Sequence, residues 1–145
     1  MEIKKLAEVQ DYAAEKMKKI SLFSTERVQC DQYCLEPGQA QKPHAHAGED
    51  KLYYIVEGSG KVAVGSEEKA IGAGEIVIAP AGVDHGITNG AGGRMRVLVF
   101  MAPNAHFEGG GHGHEKKGHD HGHGHGHGHG HDHGHKHGHG GGCGC

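Results

Sequence analysis

The chain has 145 residues, a formal net charge of −3, no tryptophan and 17 histidines. Up to residue 108 there are 12 Lys+Arg against 15 Asp+Glu, with three of each beyond. With no basic stripe and no cluster of stacking aromatics, nucleic acid is not an expected partner.

No stretch approaches ~18 consecutive apolar residues, and the opening MEIKKLAEVQDYAAEKMKK lacks an apolar core. Neither a membrane span nor a signal peptide is expected, and the chain reads as cytoplasmic with its four cysteines reduced. In that first stretch Ile3, Leu6, Ala7, Ala13, Ala14 and Met17 recur near helical spacing among Lys and Glu, which predicts a short amphipathic helix over about residues 3–19 within an extension of residues 1–20.

From Glu26 the pattern changes to short Val-, Ile- and Tyr-rich runs separated by Gly and Pro: RVQCDQYCLE, KLYYIVE, KVAVG, EIVIAP, VDHGITN and RMRVLVFMAP. These predict short antiparallel strands in a small all-β barrel or sandwich spanning 21–108. Val56–Val62, with Gly58 and Gly60, carries a hairpin signal because glycine tolerates the positive φ of tight turns. Cys30 and Cys34 fall in one predicted strand, about 13 Å apart, too far for a disulfide unless it bends. Tyr53 and Tyr54 must face opposite sides of another, one lining the interior and one packing beneath the N-terminal segment.

Beyond residue 108 the composition collapses. From 109 to 142 only Gly, His, Glu, Lys and Asp occur, and 13 of the 17 histidines lie between His112 and His139. With no apolar side chain to offset ordering entropy, 109–145 is expected to be a disordered tail.

Two stretches carry chemistry. In PHAHAGED, His44 and His46 alternate and so project together, near enough to share one ion, while Pro43 stiffens the approach. In GEIVIAPAGVDHGITN, an apolar strand ends at Pro80, Gly82 turns the chain, and His85 opens the next strand, from which it can point inward. Neutral imidazoles suit many divalent ions, so ligand type does not choose among them.

Together these stretches resemble the two motifs of the cupin superfamily, over about residues 20–103. The first is glycine, five residues, HxH, three or four residues, glutamate, six residues, glycine; Gly38, His44, His46 and Gly58 fit it. The second is glycine, five residues, PxG, two residues, histidine, three residues, asparagine; Gly74, Pro80, Gly82, His85 and Asn89 fit it without a gap. The resemblance implies a double-stranded β-helix (jelly-roll) barrel, commonly a homodimer, binding one divalent metal (Fe, Mn, Ni or Zn) through His44, His46 and His85.

One position departs from the pattern. Where the family has its glutamate ligand, this chain has Lys51, whose ammonium repels a cation. Three arrangements remain open: Asp50 or Glu49 swings in as a ligand, three histidines hold the ion with water in the other positions, or no metal binds tightly. The bland reading of Lys51 is an ion pair at the barrel rim.

The tail offers His112, His114, His119, His121, His123, His125, His127, His129, His131, His133, His135, His137 and His139, then the thiol pair Cys143 and Cys145. Loose imidazoles and thiolates favour Ni, Zn or Cu, and capture should fade as pH falls below about 6.5. In composition the tail is similar to the His-rich extensions of nickel-handling accessory proteins. The expected function is a metal-binding barrel whose tail buffers, stores or delivers metal. The alternatives are a mononuclear oxygenase or isomerase acting on a small molecule in the barrel, fed by the tail, or a non-catalytic small-ligand binder.

Overall fold

In a computed structural model of the chain, residues 1–108 are described. They form nine strands: β1 (Lys18–Ser24), β2 (Gln29–Leu35), β3 (Ala40–His44), β4 (Asp50–Glu57), β5 (Ser59–Val64), β6 (Glu67–Gly72), β7 (Ile76–Ala79), β8 (His85–Asn89) and β9 (Met95–Ala102). A five-stranded sheet in the order β1-β2-β9-β4-β7 faces a four-stranded sheet in the order β3-β8-β5-β6, with every pairing antiparallel. The all-β expectation holds. The tail, with its thirteen histidines and Cys143 and Cys145, lies outside the described residues.

Period-2 alternation builds the core. On β4, Lys51, Tyr53 and Ile55 are buried while Tyr54 is exposed; on β9, Met95, Val97 and Val99 are buried. These meet Tyr33 and Leu35 from β2 and Val62, Ile71 and Ile87 from the opposite sheet in one cluster. Apolar area removed from water there, at roughly 25 cal/mol per Å², is the main force closing the sheets. Tyr53 lines the interior as expected; Tyr54 is 37% exposed.

The predicted N-terminal helix is absent, and no helix occurs among the described residues. Barrel side chains instead take the carbonyls a helix would use. Gln32 Nε2 donates to Leu6 O at 3.0 Å and Val9 O at 3.2 Å, and Gln39 Nε2 to Ala13 O at 2.7 Å and Ala14 O at 3.2 Å. Residues 6–14 thus lie as a strap along the barrel, with the Arg94 guanidinium 4.2 Å from the centre of the Tyr12 ring. Cys30, Gln32 and Cys34 share the strap side of β2 and are all buried; both cysteines are free, as the strand spacing requires.

The expected hairpin at Val56–Val62 is also corrected. β4 already pairs β9 and β7 and has no free edge, so the chain crosses at Gly58 (φ 84°) into the other sheet. A Cβ on Gly58 would strike Arg94 O, so glycine is required there twice over. The tight hairpin is β5–β6, where Gly65 and Ser66 link the paired Val64 and Glu67.

β1, β3 and β6 lie outside the runs that the sequence marks as strands. β6 is an edge strand whose Glu67, Glu68 and Lys69 are exposed, charges that guard an open edge. β3, the other edge of that sheet, contains Pro43, which an edge tolerates.

Candidate metal centre

The site grows from an irregularity in β3. Its register with β8 runs Ala40 to Thr88 and Gln41 to Ile87, then slips so that His44, not Pro43, stands opposite His85. Such bulges re-aim side chains. Gly86 makes room: a Cβ there would lie 2.7 Å from Gln41 O and 3.1 Å from Pro43 N. Gly86→Ala is therefore expected to force the two backbones apart, costing about 1–3 kcal/mol in a denaturant titration and moving His44 off His85.

His46 follows β3 in a loop held by the hydrogen bond from Gly82 N to His46 O at 2.8 Å. The three rings converge, with centroids 4.7 Å (His44–His85), 4.8 Å (His44–His46) and 5.6 Å (His46–His85) apart. One ligand atom from each lies within 4.8 Å of the others, a group able to hold a metal ion.

Tautomers follow from the neighbours. His44 Nδ1 lies 2.9 Å from Lys42 O and His85 Nδ1 2.9 Å from Val83 O. Carbonyls only accept, so each Nδ1 carries a proton, and in the neutral ring each Nε2 keeps its lone pair. His85 is 1% exposed and its Nε2 is buried with no partner. An orphaned buried acceptor is costly, and a divalent ion would satisfy it; three neutral imidazoles fit Zn or its first-row neighbours. Burial above all holds the His85 pKa below 6.5, and Lys51 and the other two histidines add to the shift. Burial, then His44 and Lys51, do the same for His46.

Lys51 is neither at the rim nor ion-paired. It is 1% exposed, with Nζ donating to Tyr33 OH at 3.1 Å and Gln41 Oε1 at 3.4 Å, 5.2 Å from the centres of the Tyr33 and Tyr53 rings. Tyr53 OH donates to the same Gln41 oxygen at 2.8 Å, and Gln41 Nε2 to Tyr33 OH at 3.3 Å, closing a buried network beside the histidines. Burial, then the charge of Lys19, push the Lys51 pKa down to about 8, against the pull of Asp31 and Glu49. Between pH 8 and 10 the unfolded lysine keeps a proton that the folded one has lost. Stability of the metal-free protein should therefore rise over that window, by about 2–3 kcal/mol. Above pH 10 the slope should turn over, because burial keeps Tyr33 and Tyr53 protonated beyond the usual range. Denaturation at stepped pH checks this, and Lys51→Met should flatten the rise.

Asp50 Oδ1 accepts from Ala81 N at 2.9 Å and, among the described residues, belongs to no ligand group. Glu49 groups instead with His46 and His106, a residue the sequence reading passed over.

A barrel of two facing antiparallel sheets with histidines converging beside the β3–β8 pair is the architecture of a cupin. Residues 32–101 match the family model described as a cupin domain, and the barrel belongs to the cupin superfamily. A Thermus thermophilus protein of known structure is 48% identical, with a TM-score of 0.69, over 71% of this chain and 98% of its own. A Klebsiella pneumoniae protein with a double-stranded β-helix domain is 20% identical with a TM-score of 0.68, over 72% and 92%, a likeness of fold alone. An uncharacterized Streptomyces coelicolor protein is 37% identical over 73 residues, 49% of this chain and 66% of its length. The likeness takes in 98% of the Thermus chain, and the whole core cluster lies between Tyr33 and Val99, so a chain ended at Glu108 keeps every residue of that core.

Proposed function

We propose that this protein is a metal-binding cupin: His44, His46 and His85 hold one divalent transition metal, and the His-rich tail buffers, stores or delivers Ni or Zn. The observation that carries the barrel site is the orphaned, buried Nε2 of His85 in a group whose ligand atoms lie within 4.8 Å. Lys51 in the glutamate position favours a three-histidine site with water completing the ion's shell. Lys51, Tyr33, Tyr53 and Gln41 fill the adjoining interior, which supports ion binding over small-molecule binding.

When bound, the ion would supply Lewis acidity. His44 and His85 would hold it through nitrogens oriented by Lys42 O and Val83 O, while Lys51 keeps the site's net charge high. The tail's role rests on composition: many flexible imidazoles and a terminal thiol pair.

A homodimer belongs to the same reading, supported by Ile76 and Ile78 exposed on the edge strand β7 and Tyr54 exposed on the adjacent β4. A cytoplasmic location belongs to the same reading. No helix among the described residues is long and apolar enough to cross a membrane.

Metal analysis after equilibration with Ni or Zn tests the division of labour. The full chain should carry several equivalents, and a chain ended at Glu108 about one. A full chain holding one equivalent or fewer would end the buffering role. The runner-up, a metalloenzyme, is favoured by the coordination positions that three histidines leave open; turnover of a small molecule by the shortened chain would support it.

A further inference from the structure

Beside the histidine trio lies a second cluster that shares one member with it. His46, Glu49 and His106 each offer a ligand atom, all within 4.8 Å of one another. Glu49 is 2% exposed. Its Oε1 accepts from Ala105 N at 2.8 Å; its Oε2 sits 3.5 Å from His46 Nδ1 but lacks hydrogen-bond geometry and is buried without a partner. His106 Nε2 stands 4.0 Å from Glu49 Oε1, and the His46 and His106 rings are 6.1 Å apart.

His106 is placed, not merely nearby. The preceding Asn104 is 6% exposed and its Nδ2 donates to Ser24 Oγ (3.1 Å), Thr25 O (2.9 Å) and Gln29 Oε1 (3.3 Å). Ala105 N on Glu49 then sets the chain above the carboxylate. A buried carboxylate oxygen with no donor is costly, and a cation beside it would satisfy it and balance its charge. Two imidazoles and a carboxylate form a donor set for a borderline divalent cation.

We infer that His46, Glu49 and His106 form a second metal site, an alternative seat for a divalent ion such as Zn, Co or Ni. Because a neutral His46 serves one ion at a time, the two seats exchange a single ion rather than fill together. Each seat has one buried member, Glu49 or His85, and they share His46; the outer seat is the more accessible because His106 is exposed where His44 is half-buried. In sequence it is also the nearer to the His-rich run, six residues before His112. An ion from solvent would meet it before the trio.

Co(II), whose visible spectrum reports its ligands, is the probe, titrated into the chain ended at Glu108. His85→Ala disables the trio while leaving His46, Glu49 and His106 intact. That variant should still bind one Co(II), more weakly than the parent. Adding His106→Ala or Glu49→Gln should weaken it by at least about a further tenfold, since even outer-shell partners are worth that much. Should His85→Ala fail to fold, His44→Ala serves, being equally outside the second cluster. Equal affinity in the single and double variants, or no Co(II) binding by the single variant, would overturn the inference. Loss between parent and single variant reports the trio alone, so failure of either seat is read separately.

Discussion

Replacing His85 with alanine in the chain ended at Glu108 is expected to weaken binding of the tightest divalent ion by at least about a hundredfold. Outer-shell partners are commonly worth 10–100-fold, and His85 would be a direct ligand with a lone pair held in position by Val83 O. Thermal unfolding makes the loss visible. At a metal concentration of 100 Kd the parent should gain about 2.7 kcal/mol, and the variant, at the same concentration, only about 0.4 kcal/mol. The metal-free variant should still fold, because the change removes an unsatisfied buried nitrogen along with the packing it supplied. Undiminished affinity would show that the ion sits elsewhere.

Lys51→Glu is expected to do the opposite, tightening the barrel site by at least about tenfold. The position points inward in phase with Tyr53 and Ile55, so the new carboxylate would replace an ammonium whose field lowers the pKa of both His46 and His85. Reversing one charge near an ion is worth several kcal/mol even at an effective dielectric of about 20, so tenfold leaves room for the cost of burial. Tyr33 OH, which now accepts from Lys51 Nζ, can donate to the glutamate instead. Lys51→Met, which removes charge without supplying a ligand, should give a smaller gain. Calorimetric titration of the three proteins would check the ordering, and weaker binding by the glutamate variant would refute the account of Lys51.

Motif spacing singled out His44, His46 and His85, the three residues whose rings converge. Strand alternation separated Tyr53 from Tyr54, but the rim reading of Lys51 missed that it shares the buried face with Tyr53 and Ile55. The bulge that sets His44 opposite His85 left no such mark; it depends on Gly86 admitting the β3 backbone, a contact across two strands. The N-terminal segment misled because its helical spacing was real, yet Gln32 and Gln39, more than twenty residues away, capture its carbonyls. β6 was missed because an edge strand guarded by charge does not alternate. His106 belongs to neither the barrel motifs nor the terminal run. Only the fold of Pro103–Phe107 around Asn104 brings it over Glu49.

The central claim is that three imidazoles from β3, the loop after it and β8 close on a common ion. Anomalous diffraction at a metal absorption edge, from crystals of the chain ended at Glu108 grown with Zn or Ni, tests it most directly. The account predicts a peak at about 2.0–2.1 Å from one nitrogen each of His44, His46 and His85. An ion-soaked crystal with no density among those three rings, or with the peak on other residues, would contradict it.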